Sequence, residues 1–269
     1  MNRKTVASIA AASILAGAMS LTVLSGCGGE SSAPANTVNS ADDLVGKSIG
    51  VQLGTTGAVV AEDVEGATVE KYNKGVDAVQ ALKQGKIDAV IIDQEPAKVF
   101  VEKNSDLKIV EEDYAVEDYA IAVAKGNEAL RDEINGALKT LKDNGTLDQI
   151  SKNWIGDEAG STPYESPADA KHDKGKLVMA TNAEFPPYES MEGDKVVGYD
   201  ADMMQAVCDT LGYELSIENM AFDSVITAVQ SGKADVGVAG LSVTPDREKN
   251  VLFTDSYATS HQVIIVRNS

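Results

Sequence analysis

The chain alternates between short apolar runs typical of buried strands and longer segments whose apolar residues recur at helical spacing. Two halves carry these signals in the same order, strand then helix then strand, at residues 48–51, 76–82 and 88–92 and again at residues 177–180, 225–229 and 235–238. Each predicted helix is followed by a glycine, Gly85 or Gly232, which suits the left-handed conformation that ends many helices. The repeated order predicts an α/β fold with two similar lobes, each a mostly parallel sheet flanked by helices.

The segment between the two units has a different pattern. Apolar residues at helical spacing predict an amphipathic helix over residues 128–142 and a shorter helix over residues 146–154. Residues 157–174 contain Gly, Ser and Pro with almost no apolar side chains, which is typical of a linker.

The amino-terminal residues differ from the rest of the chain in charge. Arg3 and Lys4 are followed by an uncharged, apolar stretch, which is the layout of a secretory signal peptide. The stretch contains Leu24-Ser25-Gly26-Cys27, which matches the bacterial lipobox. Residues 1–26 are therefore predicted as a lipoprotein signal peptide and Cys27 as the lipidated residue.

An uncleaved transmembrane anchor is the alternative to a signal peptide, because the apolar stretch is nearly long enough to span a bilayer. Residues 27–40, which are mostly small or polar, are predicted as a flexible tether.

Composition and charge narrow the range of functions. The 269 residues include 42 Asp and Glu against 23 Lys and Arg, a formal net charge of −19. We therefore predict no nucleic-acid partner, because a polyanion would be repelled. Two cysteines and two histidines are too few for a disulfide framework or an ordinary zinc site. No metal, no other cofactor and no catalytic residue are predicted.

Candidate binding residues lie just after the predicted strands, where ligands sit in open α/β sheets. In the first half these positions hold the hydroxyl-rich loop at residues 52–57 and then Asp93. In the second half they lead to residues 182–185 and 239–244, with Arg247 close behind. An arginine and an aspartate that face each other across a cleft suit a zwitterion, because a guanidinium binds a carboxylate and an aspartate binds an ammonium. Taken singly, neither residue is specific, because a surface arginine is usually just solvated.

Longer motifs extend these short signals. The second half contains ATNAEFPPYE (180–189), GYDAD (198–202), MAFD (220–223), AGLSVTPDR (239–247) and FTDSY (253–257). The first half contains GVQLGTTG (50–57), DAVIID (88–93) and a closing stretch at 144–156. Together these motifs resemble those of solute-binding protein family 3, the polar amino-acid-binding receptors of bacterial ABC importers, and they cover nearly the whole chain after the leader.

The order of the motifs departs from that family, whose second half comes first here. The resemblance therefore implies a two-lobe periplasmic-binding fold of type II, with the ligand in the cleft between the lobes, in circularly permuted order. It implies lobe 2 at residues 41–122, helices packing on lobe 1 at 123–156, a linker joining the ancestral termini at 157–174, lobe 1 at 175–261 and a hinge strand at 262–269. We expect the hinge strand to brace lobe 2 by non-covalent strand pairing alone.

The resemblance also implies roles for the residues at the matching positions. Arg247 holds the ligand carboxylate and Asp93 the ligand ammonium, while two phenylalanines enclose the ligand side chain. Asn182, Gln52 and Glu184 meet its far end, although a solvated position at the rim is the alternative for Glu184. The implied ligand-binding set is Gln52, Thr55, Thr56, Asp93, Asn182, Glu184, Phe185, Phe222, Ala239, Gly240, Ser242 and Arg247.

These inferences predict an exported, lipid-anchored receptor that binds a polar L-amino acid by closing its lobes and delivers it to an ABC permease. Glutamine is favoured because Asn182 offers a neutral amide, and arginine or lysine comes next because Glu184 supplies a negative charge. The expected partners are the amino acid, the permease's transmembrane subunits and, through the lipid anchor, the outer face of the cell membrane. We expect a monomer. The alternatives are a cleft enzyme that resembles the dehydratases of this fold, with Glu184 as its acid, and a ligand-sensing receptor without transport.

Overall fold

The computed structural model describes residues 33–110 and 115–269; the predicted signal peptide and Cys27 lie outside the described residues. The strands are β1 (Ser48–Gln52), β2 (Thr68–Tyr72), β3 (Ala89–Asp93), β4 (Leu107–Ile109), β5 (Ala115–Tyr119), β6 (Ala122–Ala124), β7 (Lys176–Thr181), β8 (Glu184–Phe185), β9 (Glu189–Glu192), β10 (Lys195–Val197), β11 (Glu214–Asn219), β12 (Val236–Gly237), β13 (Val251–Phe253) and β14 (Ala258–Arg267). The α-helices are α1 (Thr56–Glu62), α2 (Gly75–Lys83), α3 (Gln94–Glu102), α4 (Glu128–Asp143), α5 (Thr146–Trp154), α6 (Tyr199–Leu211), α7 (Phe222–Gln230) and α8 (Pro245–Glu248), and a 3-10 helix spans Ala41–Leu44. In this part of the chain, no helix is long and apolar enough to cross a membrane.

Two larger sheets divide the described residues into two lobes. The first sheet has the strand order β2-β1-β3-β14-β4, with β5 pairing to β14, and we call the lobe around it lobe 2. The second has the order β11-β7-β12-β6-β13 and forms lobe 1, where β8, β9 and β10 make a small sheet beside α6. In each large sheet the two strands of the repeated unit run parallel to each other and to one further strand, β2 or β11, and antiparallel strand pairs extend the sheet on the other side. The predicted two-lobe α/β fold is confirmed.

The Gly-Lys-x-Asp link between helix and strand has the same local structure in both lobes. Its glycine is left-handed in each case, with φ of +68° and +71°. In lobe 2, the Asp88 carboxylate accepts a hydrogen bond from the Ser48 N–H at 2.9 Å, and the Asp88 N–H donates to the Ser48 carbonyl at 2.8 Å. In lobe 1, Asp235 makes the same two bonds with Val178, at 2.7 and 2.8 Å. The link thus aligns the first and last strands of each unit, so that their carboxyl ends meet at one edge.

The chain passes between the lobes twice, and both passages are covalent. The first runs from β5 to β6 and the second from β13 to β14. Backbone hydrogen bonds join the two passages side by side. The Tyr257 N–H donates to the Tyr119 carbonyl at 2.9 Å, and the Thr254 N–H donates to the Ile121 carbonyl at 3.0 Å.

The prediction of a hinge strand at residues 262–269 is therefore wrong. From Gln262 onward β14 lies inside the first sheet, where it pairs antiparallel with β3 and β4. Residues 263–266 are all buried, and a continuous apolar run of this kind belongs to a strand that is covered on both faces. The crossing lies just before β14, and lobe 2 is braced by a through-going chain rather than by non-covalent pairing alone.

The connection between the two halves is packed on lobe 1. Helices α4 and α5 contact α6 of lobe 1. The linker at 157–174 has neither helix nor strand. Two of its side chains contact the Asp209 carboxylate of α6. The Asp209 carboxylate accepts from the Tyr164 hydroxyl and contacts Nε2 of His172, both at 2.8 Å.

Residues 33–40, the described part of the predicted tether at 27–40, lie against lobe 2. Val38 is fully buried in that lobe's core. The Pro34 carbonyl accepts a hydrogen bond from Nε of Arg267 at 2.9 Å. Lobe 2 is therefore built from two distant chain segments that meet at this contact, and its packed part begins before the predicted boundary at residue 41.

Because Pro34 and Arg267 touch, the chain can be reconnected without moving either lobe. Joining Ser269 to Ala33 and opening the linker at residues 157–174 should preserve the fold, since terminal proximity is what makes permutation tolerable. We expect cooperative thermal unfolding by circular dichroism with a midpoint within about 5 °C of the original order. The control is residues 33–269 in the original order. A reconnected chain that stays unfolded while this control folds would contradict the expectation.

Candidate ligand-binding site

A small cavity lies between the lobes at the carboxyl ends of the parallel strands. Its lining residues are Gln52, Thr55, Thr56 and Asp93 from lobe 2 and Phe185, Phe222, Ala239, Gly240, Ser242 and Arg247 from lobe 1. Of the predicted ligand-binding set, only Asn182 and Glu184 are outside this lining. The cavity measures about 10 Å³, roughly the space that one water needs. A molecule as large as an amino acid therefore enters only when the lobes move apart.

Strand ends and helix starts position the side chains of lobe 2. Gln52 is the last residue of β1, and Asp93 is the last residue of β3 and directly precedes α3. Thr55 is the N-cap of α1, where its hydroxyl oxygen accepts from the Ala58 N–H at 3.2 Å. The same hydroxyl donates to the Gln52 carbonyl at 2.8 Å, which fixes the turn between strand and helix. Parallel neighbours thus bring both strand ends to the cavity.

The Arg247 guanidinium reaches across the cleft from lobe 1. Thr244 caps the short helix α8 that carries it, accepting from the Arg247 N–H at 3.2 Å. Nη1 donates to the Ser242 carbonyl at 2.8 Å, and Nη2 donates to the Gly54 carbonyl of lobe 2 at 3.1 Å. The guanidinium carbon lies 5.5 Å from the centroid of the Phe222 ring. Burial lowers the pKa of Arg247 from its ordinary value, but the group stays cationic and retains donors for an anion.

Asp93 is the buried acid on the opposite side of the cavity. Its carboxylate accepts a hydrogen bond from the Tyr119 hydroxyl. Burial raises the pKa of Asp93 to about 7, and the negative charge of Glu117 adds to the rise. The Glu117 carboxylate itself accepts from the Ser242 hydroxyl at 2.7 Å and from Nε2 of Gln262 at 3.2 Å. A cation placed here would stabilise two carboxylates that otherwise repel each other.

The amides predicted to meet the far end of a ligand touch each other across the cleft. Nε2 of Gln52 donates to Oδ1 of Asn182 at 2.9 Å, and Nδ2 of Asn182 donates to the Met220 carbonyl at 2.8 Å. Beside them, Nζ of Lys74 in lobe 2 donates to Oε1 of Glu184 in lobe 1 at 2.5 Å. Glu184 is thus held by a cation from the other lobe.

A pair of buried carboxyl groups lies behind the cavity. The Asp200 carboxylate accepts from the Gly240 N–H at 3.1 Å and from the Tyr257 hydroxyl at 3.0 Å. Burial raises the pKa of Asp200 to about 6 and raises that of Glu189 well above its ordinary value, the latter with the charge of Asp200 contributing. Two neighbouring buried carboxyls cannot both ionise easily, so we expect the pair to hold one proton at neutral pH. The pair orients the backbone at Gly240, which lines the cavity.

Four residues at or behind this site were missed from sequence. They are Lys74, Glu117, Tyr119 and Glu189. Tyr119 and Glu117 belong to β5, whose register beside the cavity depends on pairing with β14. The sequence of β5, Ala-Val-Glu-Asp-Tyr, does not alternate apolar and polar residues, so it carries little signal for a strand and none for its neighbour. Among the described residues, no group of three or more His, Cys, Asp or Glu is arranged to hold a metal ion.

Comparison with known families identifies the chain's relatives. The family model for bacterial extracellular solute-binding proteins, family 3, matches residues 31–157 and 177–269. The chain belongs to this family. The unmatched residues between the two segments, 158–176, include nearly all of the predicted linker at 157–174.

Two curated relatives resemble part of this family member. The arginine-binding extracellular protein ArtP of Bacillus subtilis (strain 168) is 40% identical over 92 residues, which are 34% of this chain and 36% of ArtP. The L-cystine-binding protein TcyJ of Escherichia coli (strain K12) is 35% identical over 122 residues, which are 45% of this chain and 46% of TcyJ. The chain thus spans less than half the length of these relatives.

Solved structures overlap with the chain over similarly short stretches. The arginine-bound domain 1 from TmArgBP is 32% identical with a TM-score of 0.31, covering 36% of this chain and 82% of that domain. An ancestral arginine-binding protein bound to arginine is 40% identical with a TM-score of 0.28, covering 29% of this chain and 35% of that protein.

The raised pKa of Asp93 predicts a pH dependence of stability. An unfolded aspartate has a pKa of about 3.9, so the folded state holds the proton more tightly and loses stability as pH rises from about 4 through about 7. Asp93→Asn removes this loss. Between pH 5 and pH 8, the free energy of unfolding should therefore fall less in Asp93→Asn than in the original protein, by a difference of about 1–3 kcal/mol. Urea denaturation at the two pH values measures this difference.

The opposite variant serves as the control for Asp93→Asn. Tyr119→Phe removes a hydrogen bond that favours the charged carboxylate, so its stability should fall more steeply over the same pH range. The same pH dependence in the original protein and in Asp93→Asn would show that Asp93 does not titrate in this range.

Proposed function

We propose that this protein is an extracytoplasmic receptor that binds a polar L-amino acid between its lobes and delivers it to an ABC permease. The observation that carries the proposal is the placement of Arg247 and Asp93 at one cavity, on opposite lobes. A guanidinium pairs with a carboxylate in a bidentate manner, and a buried carboxylate favours an ammonium. A zwitterion that fills both positions links the lobes and so favours the closed state.

The surroundings of the two charges support an amino acid with a side chain. Phe185 and Phe222 line the same cavity and offer apolar walls. The Arg247 guanidinium is held by two backbone carbonyls, so a ligand carboxylate would replace weaker neutral acceptors with a charged one. Glu117 brings a second negative charge to the ammonium side of the cavity.

For the ligand, we place glutamine first and arginine or lysine next. Gln52 and Asn182 present neutral amides at the far end, and such groups pair well with a carboxamide. Glu184, the acid beside these amides, is neutralised by Lys74. The curated relatives are named for arginine and for L-cystine, which supports the amino-acid class and gives arginine its place in the order.

Transport, location and the absence of turnover complete the proposal. One relative is named a putative ABC transporter arginine-binding protein 2, from Escherichia coli (strain K12). This name supports binding without catalysis. It also supports delivery to an ABC permease. The motif Leu24-Ser25-Gly26-Cys27 supports export and lipid anchoring to the outer face of the cell membrane. We infer that the receptor acts as a monomer.

We also infer that the two halves stand in an order exchanged from that of the family. Two separate segments match the family model, and the stretch that joins them is unmatched. The contact between Pro34 and Arg267 brings together the positions that the exchange would have separated.

Loss of the guanidinium should cost most of the affinity. Truncating one partner of a desolvated charge pair costs about 2–5 kcal/mol, so Arg247→Ala should raise the Kd by roughly 30-fold or more. Isothermal titration with each of the twenty amino acids measures the change and gives the ligand order. Arg131→Ala is the matched control, because that arginine pairs with Asp132 on α4, away from the cavity.

Two outcomes would contradict this assignment. Near-normal affinity of a folded Arg247→Ala variant, with folding checked by thermal unfolding, would exclude the guanidinium as the carboxylate site. Binding of arginine and lysine alone by the original protein would reverse the proposed ligand order.

The lipid anchor is tested with the two cysteines of the chain. Cys27→Ala should abolish incorporation of labelled palmitate in a bacterial host and release the protein from the membrane fraction, because the thiol is the lipid acceptor. Cys208→Ala is the control, since Cys208 is buried in α6, and its labelling should be unchanged. Equal labelling of Cys27→Ala and the original protein would reject the anchor.

A further inference from the structure

The ion pair between Lys74 and Glu184 joins the lobes at the far end of the cavity. Lys74 is the N-cap of α2 in lobe 2, and Glu184 begins β8 in lobe 1. Their side chains are 48% and 28% exposed, so the pair lies at the mouth of the cleft. Phe185, the next residue after Glu184, lines the cavity.

The surrounding contacts place this pair beside the amides that would meet a ligand side chain. Nε2 of Gln52 donates to the carbonyl of Asn73, the residue before Lys74, at 3.2 Å. The same Nε2 donates to Asn182, which is two residues before Glu184. Glu184 is therefore two residues from Asn182, which bonds Gln52 across the cleft, and Lys74 is next to Asn73, which bonds the same Gln52 amide.

The ion pair also sets the charge of that end. The hydrogen bond to Glu184 is the largest cause that raises the pKa of Lys74, followed by the charge of Glu184, while Asp77 contributes least. Lys74 is thus a full cation at neutral pH, and its partner's charge is cancelled.

We propose that Lys74 is a specificity-determining residue that occupies the Glu184 carboxylate and thereby disfavours ligands with a cationic side chain relative to those with a neutral amide. The inference rests on the proposed function, because it concerns the ligand that the same cavity takes. It assigns the choice between two classes of amino acid to a residue outside the cavity lining.

The physical argument is a competition for one carboxylate. An arginine or lysine side chain that reaches Glu184 must displace Lys74 or lie beside a like charge, and either costs affinity. A carboxamide can bind Asn182 and Gln52 while the ion pair stays intact. In that case the pair also adds an attraction between the closed lobes.

These two effects predict opposite responses to removal of the charge. Lys74→Gln frees Glu184, so the affinity for arginine should rise about two- to fivefold. The affinity for glutamine should stay the same or fall by up to about twofold, because a contact between the lobes is lost. Isothermal titration of both amino acids against the full mature chain gives the ratio of the two Kd values, which is the quantity to compare.

Two further variants make the test specific to the ion pair. Lys71→Gln removes a lysine of the same lobe whose partner is Glu62, and it should leave the ratio unchanged. In a Glu184→Gln background, Lys74→Gln should no longer raise the preference for arginine, because no carboxylate remains to be freed.

Each outcome has a distinct meaning. An unchanged ratio in Lys74→Gln, with glutamine or arginine still bound, would overturn the role of Lys74 and leave the proposed function standing. The same gain for arginine in the Glu184→Gln background would also overturn it, because the effect would then not pass through Glu184. If the original protein binds no amino acid at all, both the proposed function and this inference are wrong.

Discussion

The antiparallel insertion of β14 between β3 and β4 is the contact on which the rest of the structure depends. β14 arrives from lobe 1 and completes the sheet of lobe 2, so one strand both ties the lobes together and closes a core. Its register places Gln262 opposite Asp93, and its first residues pair with β5, which carries Glu117 and Tyr119. The acidic side of the cavity is therefore assembled by a strand that is far away in sequence.

The closed cleft shows what a ligand has to exchange. Arg247 donates hydrogen bonds to two backbone carbonyls, and Ser242 donates one to Glu117. The side-chain amide of Gln52 donates to that of Asn182. Binding replaces these hydrogen bonds rather than adding to an empty set, so the net gain of each new contact is modest. Under the proposed function the gain is largest where a charge meets a charge, at Arg247 and at Asp93, because the contacts now made there are to neutral groups.

Much of the fold followed from local patterns, because each repeated strand-helix-strand unit is a short stretch of chain, residues 48–92 and 177–238, and its Gly-Lys-x-Asp link is a local hydrogen-bonding device. The cavity lining followed from the rule that ligands sit at strand ends, together with the family motifs. The hinge did not. The apolar run at 263–266 has the same composition in a crossing strand as in a central strand, and only the partner strands distinguish the two. Lys74 and Glu117 were missed for a similar reason. Each is hydrogen-bonded to a residue of the other lobe, Glu184 and Ser242 respectively, and no local sequence pattern predicts such a contact.

The two covalent passages have a consequence for synthesis. Lobe 1 is built from one continuous stretch, from β6 to β13, whereas lobe 2 combines the residues before β6 with β14. As the chain leaves the ribosome, the first strands of lobe 2 appear early, but the edge of β3 has no neighbour until β14 follows, more than 160 residues later. An unpaired edge of a buried, apolar strand is a template for aggregation. Nascent lobe 2 therefore needs protection throughout the synthesis of lobe 1, a demand on chaperones that arises from the order of the strands and not from their final packing.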